Sequence, residues 1–266
     1  MKVILVVVIV LILMFWLWRD SVLKKVDIPA EWHDLLEEHV RFYQLLNDAE
    51  KLVFQDQMAV FLYEVNIEAV HFELEEIDRV FVAASAIVPI FRFRNWRYKT
   101  INGVIIFPND FNDDLGFGSD AKDKWIGGRV NYGPKGSRMI LSRKSLHHGF
   151  KNKTDKVNTG IHEFVHILDI ADGKMDGIPE NFVGQEYIIP WLNLMYEGME
   201  AINNDKSDYH GSNLKDRTDI RAYGGTKQVE FFTVASEYFF ERPKLLRRKH
   251  PELYEMLERC YNPDKV

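Results

Sequence analysis

The stretch His162-Glu163-Phe164-Val165-His166, continued by Ile167-Leu168-Asp169, organises the chain. Two histidines four residues apart share one face of a helix, one turn from each other. Both can present a neutral ring nitrogen to one Zn²⁺ at about 2.0–2.1 Å. Glu163 is rotated ~100° from His162 by the helix pitch, so it is free to face bound water rather than the metal. This is the H-E-x-x-H arrangement of zinc hydrolases. Chance produces it on the order of once per hundred chains of this length, so its surroundings carry weight. Ile161, Phe164, Val165 and Leu168 fall at i, i+3, i+4 and i+7, an apolar stripe turned about 130° from the histidines. One face can pack while the other holds metal. Ala171-Asp172-Gly173 gives a stop, with Gly173 as the C′ residue. Asp169 either accepts the second ring N–H of a zinc histidine or bonds the following turn.

The chain around this stretch has 266 residues, 46% apolar and 28% charged, an ordinary globular composition. A net charge of −6 leaves no basic footprint, so nucleic acid is not expected as a direct partner. The single Cys260 excludes an intrachain disulfide framework and fits a reducing compartment. Val3 to Trp18 is an unbroken apolar run ending in Phe15-Trp16-Leu17-Trp18. As a helix it spans about 24 Å, a little short of a ~30 Å hydrocarbon core. The closing tryptophans suit a membrane interface, Lys2 and Arg19 bracket the run, and no cleavage pattern follows. Residues 1–25 are therefore expected to hold an uncleaved single-pass anchor, with membrane contact over 3–18; a buried core helix is the alternative. Arg19, Lys24 and Lys25 beyond the run lean towards a cytoplasmic body.

Residues 26–266 read as one domain. Glu31–Leu46, Asp48–Val65 and Asp78–Val88 are predicted helices, the last ending before Pro89, although its Val and Ala content also fits a buried strand. Ile101–Phe107 is a predicted strand. Asp110–Lys124 is expected to be a mobile surface loop. Arg129–Tyr132 and Arg138–Ser142 form a predicted hairpin, and Met139–Arg143 is expected to offer a free edge to an extended peptide or to be an ordinary edge strand. His147 and His148 are expected in a solvated loop, a second metal site being the alternative, ahead of a polar linker over Lys151–Asn158. A helix over Gln185–Asn203, interrupted by Pro190, and a closing helix from Pro251 complete the chain.

A catalytic zinc of this kind needs three protein ligands and an open position. No third His follows at the short metzincin spacing. The apolar stretch after Arg221 carries two acids, Glu230 and Glu237, seven apart on one helix face. Burying an acid there is costly unless a cation or metal meets it, and a solvated side is the alternative.

His162-Glu-Phe-Val-His-Ile-Leu-Asp169 with Asp172-Gly173 and Asp176-Gly177, followed by Glu230-Phe-Phe-Thr-Val-Ala-Ser-Glu-Tyr-Phe-Phe240 and Pro251-Glu-Leu-Tyr254, resembles the Mlc titration factor A family of zinc metallopeptidases. The resemblance runs from about Asp78 to the C-terminal helix. Its glutamate-helix pattern is similar to that of the anthrax lethal factor protease domain, where a Tyr-Gly pair precedes the metal-binding Glu as Tyr223-Gly224 precedes Glu230 here. The resemblance implies His162, His166 and Glu230 as ligands of one Zn²⁺, Glu163 as general base, Tyr223 as the phenol stabilising the reaction intermediate, and Glu237 as a supporting acid. Gly224-Gly225 would let the Tyr223 loop adjust around substrate.

The expected fold is α+β and mostly helical, a zincin-like metallopeptidase domain with a small mixed sheet, preceded by one N-terminal transmembrane helix. The expected function is a membrane-tethered, zinc-dependent peptidase acting on a peptide or protein substrate. Two alternatives stay open: a protein that keeps a structural zinc and docks a regulatory protein, as the resemblance to a repressor-titrating family allows, and an anchored scaffold whose motif is accidental.

Overall fold

The computed structural model describes residues 9–10, 12, 14, 28–93, 95–112, 126–132, 136–207 and 218–263. The expected anchor over Val3–Trp18 lies outside them, except for Ile9, Val10, Ile12 and Met14, which are helical and exposed. Among the described residues, no helix is long and apolar enough to cross a membrane. Most of the expected loop Asp110–Lys124 is likewise outside.

The centre of the fold is a helix with no polar side. From Val80 to Ile90 every residue is buried, and a helix apolar all round belongs in an interior. It spans Glu76–Ile90, preceded in chain order by α1 (Glu31–His39), α2 (Arg41–Gln44), α3 (Asp48–Glu64) and strand β1 (Asn66–Ala69), and is therefore α4. It runs past Pro89 rather than stopping before it. The expected single helix over Glu31–Leu46 is broken at Val40, which is extended. Asn47 then starts α3 with a capping box, accepting from Glu50 N at 3.0 Å while Glu50 Oε2 accepts from Asn47 N at 3.1 Å.

α4 carries Ala83, Ala84, Ser85 and Ala86 in its middle, and these small side chains admit a second helix at close range. That helix is α6 (Thr159–Asp169). A Cβ added at Gly160 would stand 2.1 Å from Ser85 Oγ. α6 is itself buried from Gly160 to Asp169. Asn158 caps it, accepting from Ile161 N at 3.1 Å.

Among the described residues, a four-stranded mixed sheet flanks these helices, in the order β1-β2-β4-β3. β2 (Ile101–Phe107) pairs in parallel with β1 and with β4 (Ser137–Ser142), and β4 pairs antiparallel with β3 (Gly128–Asn131). The expected free edge at Met139–Arg143 is thus corrected. β4 has a neighbour on each side, its Met139, Ile140 and Leu141 are all buried, and β3 takes the edge.

Arg143–Lys151, expected as strand end and loop, is helix α5, started by Ser142 Oγ accepting from Ser145 N at 3.1 Å. His147 and His148 lie on this helix rather than in a loop: His147 is half-buried with its Nε2 2.5 Å from Asp78 Oδ1, whereas His148 is solvent-exposed as expected, its Nε2 2.7 Å from Asp155 Oδ2. Pro190 does not interrupt α7 (Ile188–Ser207). It lies in the first turn, where its missing N–H has no intrahelical partner to lose. α8 (Gln228–Glu241), α9 (Pro243–Lys249) and α10 (Pro251–Tyr261) complete the domain.

Candidate metal centre

α6 and the first turn of α8 meet at the mouth of a cleft of about 640 Å³, whose other wall includes β3. His162 and His166, one helical turn apart, have ring centroids 4.8 Å from each other, and each is 8% exposed. Glu230 Oε2 lies 3.2 Å from His162 Nε2 and 3.6 Å from His166 Nε2. One ligand atom from each of the three residues falls within 4.8 Å of the others.

The second nitrogen of His162 is already committed. Its Nδ1–H donates to Glu237 Oε1 at 2.7 Å. In the neutral ring Nε2 is then a lone pair, and it faces a carboxylate oxygen inside a buried site. Two acceptors in that position need a cation or a proton between them. The same demand shows in the titration of both partners. Burial works against a charged His162, but the charge of Glu237 and the hydrogen bond to Glu230 outweigh it and push its pKa up to about 10. Burial works against a charged Glu230 too, yet His162 and His166 hold its carboxyl well below the usual range. Two imidazole nitrogens and a carboxylate oxygen are a donor set that fits a divalent metal ion.

Glu237 is 1% exposed and fully partnered. Besides His162 it accepts from Asn158 N at 2.6 Å and from Arg221 Nη2. It therefore orients a histidine and fastens the start of α6 at once. Arg221 and Asn158 escaped the sequence reading, although the need of a buried acid for a cation was the signal for the first. Asp169 does not touch either ring. Both its carboxylate oxygens accept from Gly177 N at 3.0 Å, the bond to the following turn. His166 Nδ1 is buried without a hydrogen-bond partner among the described residues.

Glu163 is 5% exposed, and its carboxyl is pushed up by burial. It lies against Gly128 of β3, where an added Cβ would stand 2.6 Å from Glu163 Cγ. No sequence signal marked that glycine. Tyr223 sits in the 3₁₀ turn Ala222–Gly225, 39% exposed, its ring 5.9 Å from that of His162. Partial burial and the neighbouring Glu230 raise its phenol, so it is protonated at neutral pH. Gly224 and Gly225 bring this turn close against α7. Both are buried, and a Cβ on Gly225 would stand 2.6 Å from Ile202 Cγ2 on α7.

The family model described as glucose-regulated metallo-peptidase M90 matches residues 14–262. The chain belongs to this M90 family. Relatives include Mlc titration factor A of Salmonella arizonae, 27% identical and covering 94% of this chain and 91% of the relative. Mlc titration factor A of Yersinia pestis is 24% identical over 94% and 90%. An uncharacterized protein of Synechocystis is 25% identical over 92% and 89%. The M90 match takes in α6, Tyr223 and α8 together, so the whole cleft lies within the family region.

Proposed function

We propose that this M90 protein is a zinc-dependent peptidase, tethered to a membrane by Val3–Trp18 with its body on the cytoplasmic side. The observation that carries the hydrolytic reading is the convergence of His162 Nε2, His166 Nε2 and Glu230 Oε2, with Glu163 beside them in the same cleft. The two histidines and Glu230 would hold one Zn²⁺. When bound, zinc supplies a Lewis acid that polarises a carbonyl and acidifies water towards a pKa of ~7. Glu163 takes the proton of the attacking water. The water oxygen adds to the carbonyl carbon as the C=O π pair moves onto its oxygen; the amide C–N bond then breaks as that pair returns and Glu163 passes its proton to the departing amine. Tyr223, protonated, donates to the oxygen on which charge develops. Glu237 keeps His162 in the tautomer with Nε2 free. Among the described residues β3 is an edge of the sheet, which supports binding of the substrate as an added strand.

The full chain is expected to bind about one zinc. Glu163→Gln should keep the metal and lose hydrolysis of a broad peptide library. Cleavage at the wild-type rate by this variant would remove Glu163 as the base; zinc content without turnover by the wild type would remove the peptidase reading.

The name of the titration factors favours a second role, docking of a regulatory protein.

A further inference from the structure

The far end of α8 opens into a second groove. Phe240 lies ~15 Å along the helix from Glu230, at about 1.5 Å per residue. Residues of α2, α8, α9 and α10 wall this groove, which holds about 590 Å³. Its floor is apolar, with Phe42 and Phe240 ring to ring at 6.2 Å and Phe239 packed on Phe240 at 5.2 Å. Leu45, on the same lining, is 74% exposed.

The charge around this floor opposes that of the chain. Among the described residues, five cations and two carboxylates line the groove, in a protein of net charge −6. Arg92 is committed to Glu50 at 2.8 Å, and Arg242 donates to Thr154 O at 3.2 Å. Arg41, Lys244 and Arg248 are exposed and meet no carboxylate at ion-pair distance among the described residues. Apolar rings below exposed cations accept one kind of occupant well: a chain segment with large apolar side chains on one side and carboxylates on the other. A lipid surface is flat and this groove is concave. A nucleic acid would leave the phenylalanine floor unused.

We propose that this groove docks an acidic, amphipathic segment of a partner protein. Apolar side chains seat on Phe42, Leu45 and Phe240, and carboxylates meet Arg41, Lys244 and Arg248. The site is separate from the cleft and does not depend on the chain being a peptidase.

The test is fluorescence anisotropy with the full chain carrying Glu163→Gln in non-ionic detergent. The probe is a labelled peptide of about 14 residues with Glu on one helical face and Leu and Phe on the other. Saturable binding is expected, weakened about tenfold by Lys244→Glu combined with Arg248→Glu. Both positions are exposed, and circular dichroism checks that the fold is kept. Replacing Leu and Phe of the probe by Ser should also abolish binding. No saturable binding, or binding indifferent to the charge reversal, overturns the proposal. So does protection of Lys244 from acylation by anionic but not neutral vesicles in the absence of peptide binding, which would give the face to lipid.

Discussion

An added methyl group at Gly128 would stand 2.7 Å from Glu163 Oε1, closer than carbon and oxygen approach without bonding. Gly128→Ala must displace either Glu163 or the edge strand. Since an ångström of misplacement at a reacting group costs ~10²-fold, peptide hydrolysis should fall by about that factor. Zinc content should not change, because Gly128 touches no ligand. Turnover at the wild-type rate would mean that the position of Glu163 is not under tight control. The two acids of α8 separate in the same way. Glu230→Ala removes a donor atom, so stoichiometric zinc should be lost on dialysis. Glu237→Ala leaves the donors in place but frees the His162 ring and strands Arg221, and zinc affinity should drop 10–100-fold. Equilibrium competition with a chromophoric chelator measures both. Equal loss in the two variants would contradict the division between ligand and support.

The turn that carries Arg221 and Tyr223 is held by one carboxylate at its start. Asp219 accepts from Lys156 Nζ at 3.1 Å, from Tyr238 OH at 2.6 Å and from His250 Nε2 at 2.8 Å. These donors come from the segment before α6, from α8 and from the junction of α9 with α10. Burial alone would raise Asp219, but the three donors outweigh it and bring its pKa from 3.8 down to about 2. The folded value lies below the ordinary one, so the stabilisation is complete above about pH 4 and is lost as pH falls through 2. A shift of that size is worth about 2 kcal/mol. Asp219→Asn should lose roughly that much stability at neutral pH and show a flatter decline between pH 4 and pH 2 in urea melts. A parallel decline in both proteins would assign the clamp no energetic part. Its partners stand 63, 19 and 31 residues away in sequence, which is why no local pattern announced it. Of the helices it ties together, α6, α8 and α10 were legible, because periodicity, a spaced pair of histidines and a Pro at the helix start are local signals; α9 was not predicted.

Across the molecule the same contrast holds. The convergence of His162, His166 and Glu230 on one cleft was readable from spacing and resemblance, whereas the position of β4 inside the sheet was not, since pairing with β2 depends on residues far along the chain. Whether the ion builds the domain or only uses it is decided at this scale. His162 and Glu230 are 68 residues apart, so a bound metal bridges distant segments and must add stability. Yet Glu237 already joins α8 to α6 through Asn158 N and His162 Nδ1, and α6 packs on the buried α4 without help from a metal. The domain should therefore stay folded without zinc. At free zinc 100-fold above Kd the ion contributes about 2.7 kcal/mol. For a domain of this size each kcal/mol moves Tm by about 2–4 °C. Chelation of the full chain is expected to lower Tm by about 5–11 °C, with far-ultraviolet circular dichroism at 25 °C unchanged. Zinc should restore the wild type and leave His166→Ala where it was. Unfolding at 25 °C on chelation would make the ion a structural part, and would favour the docking role over hydrolysis.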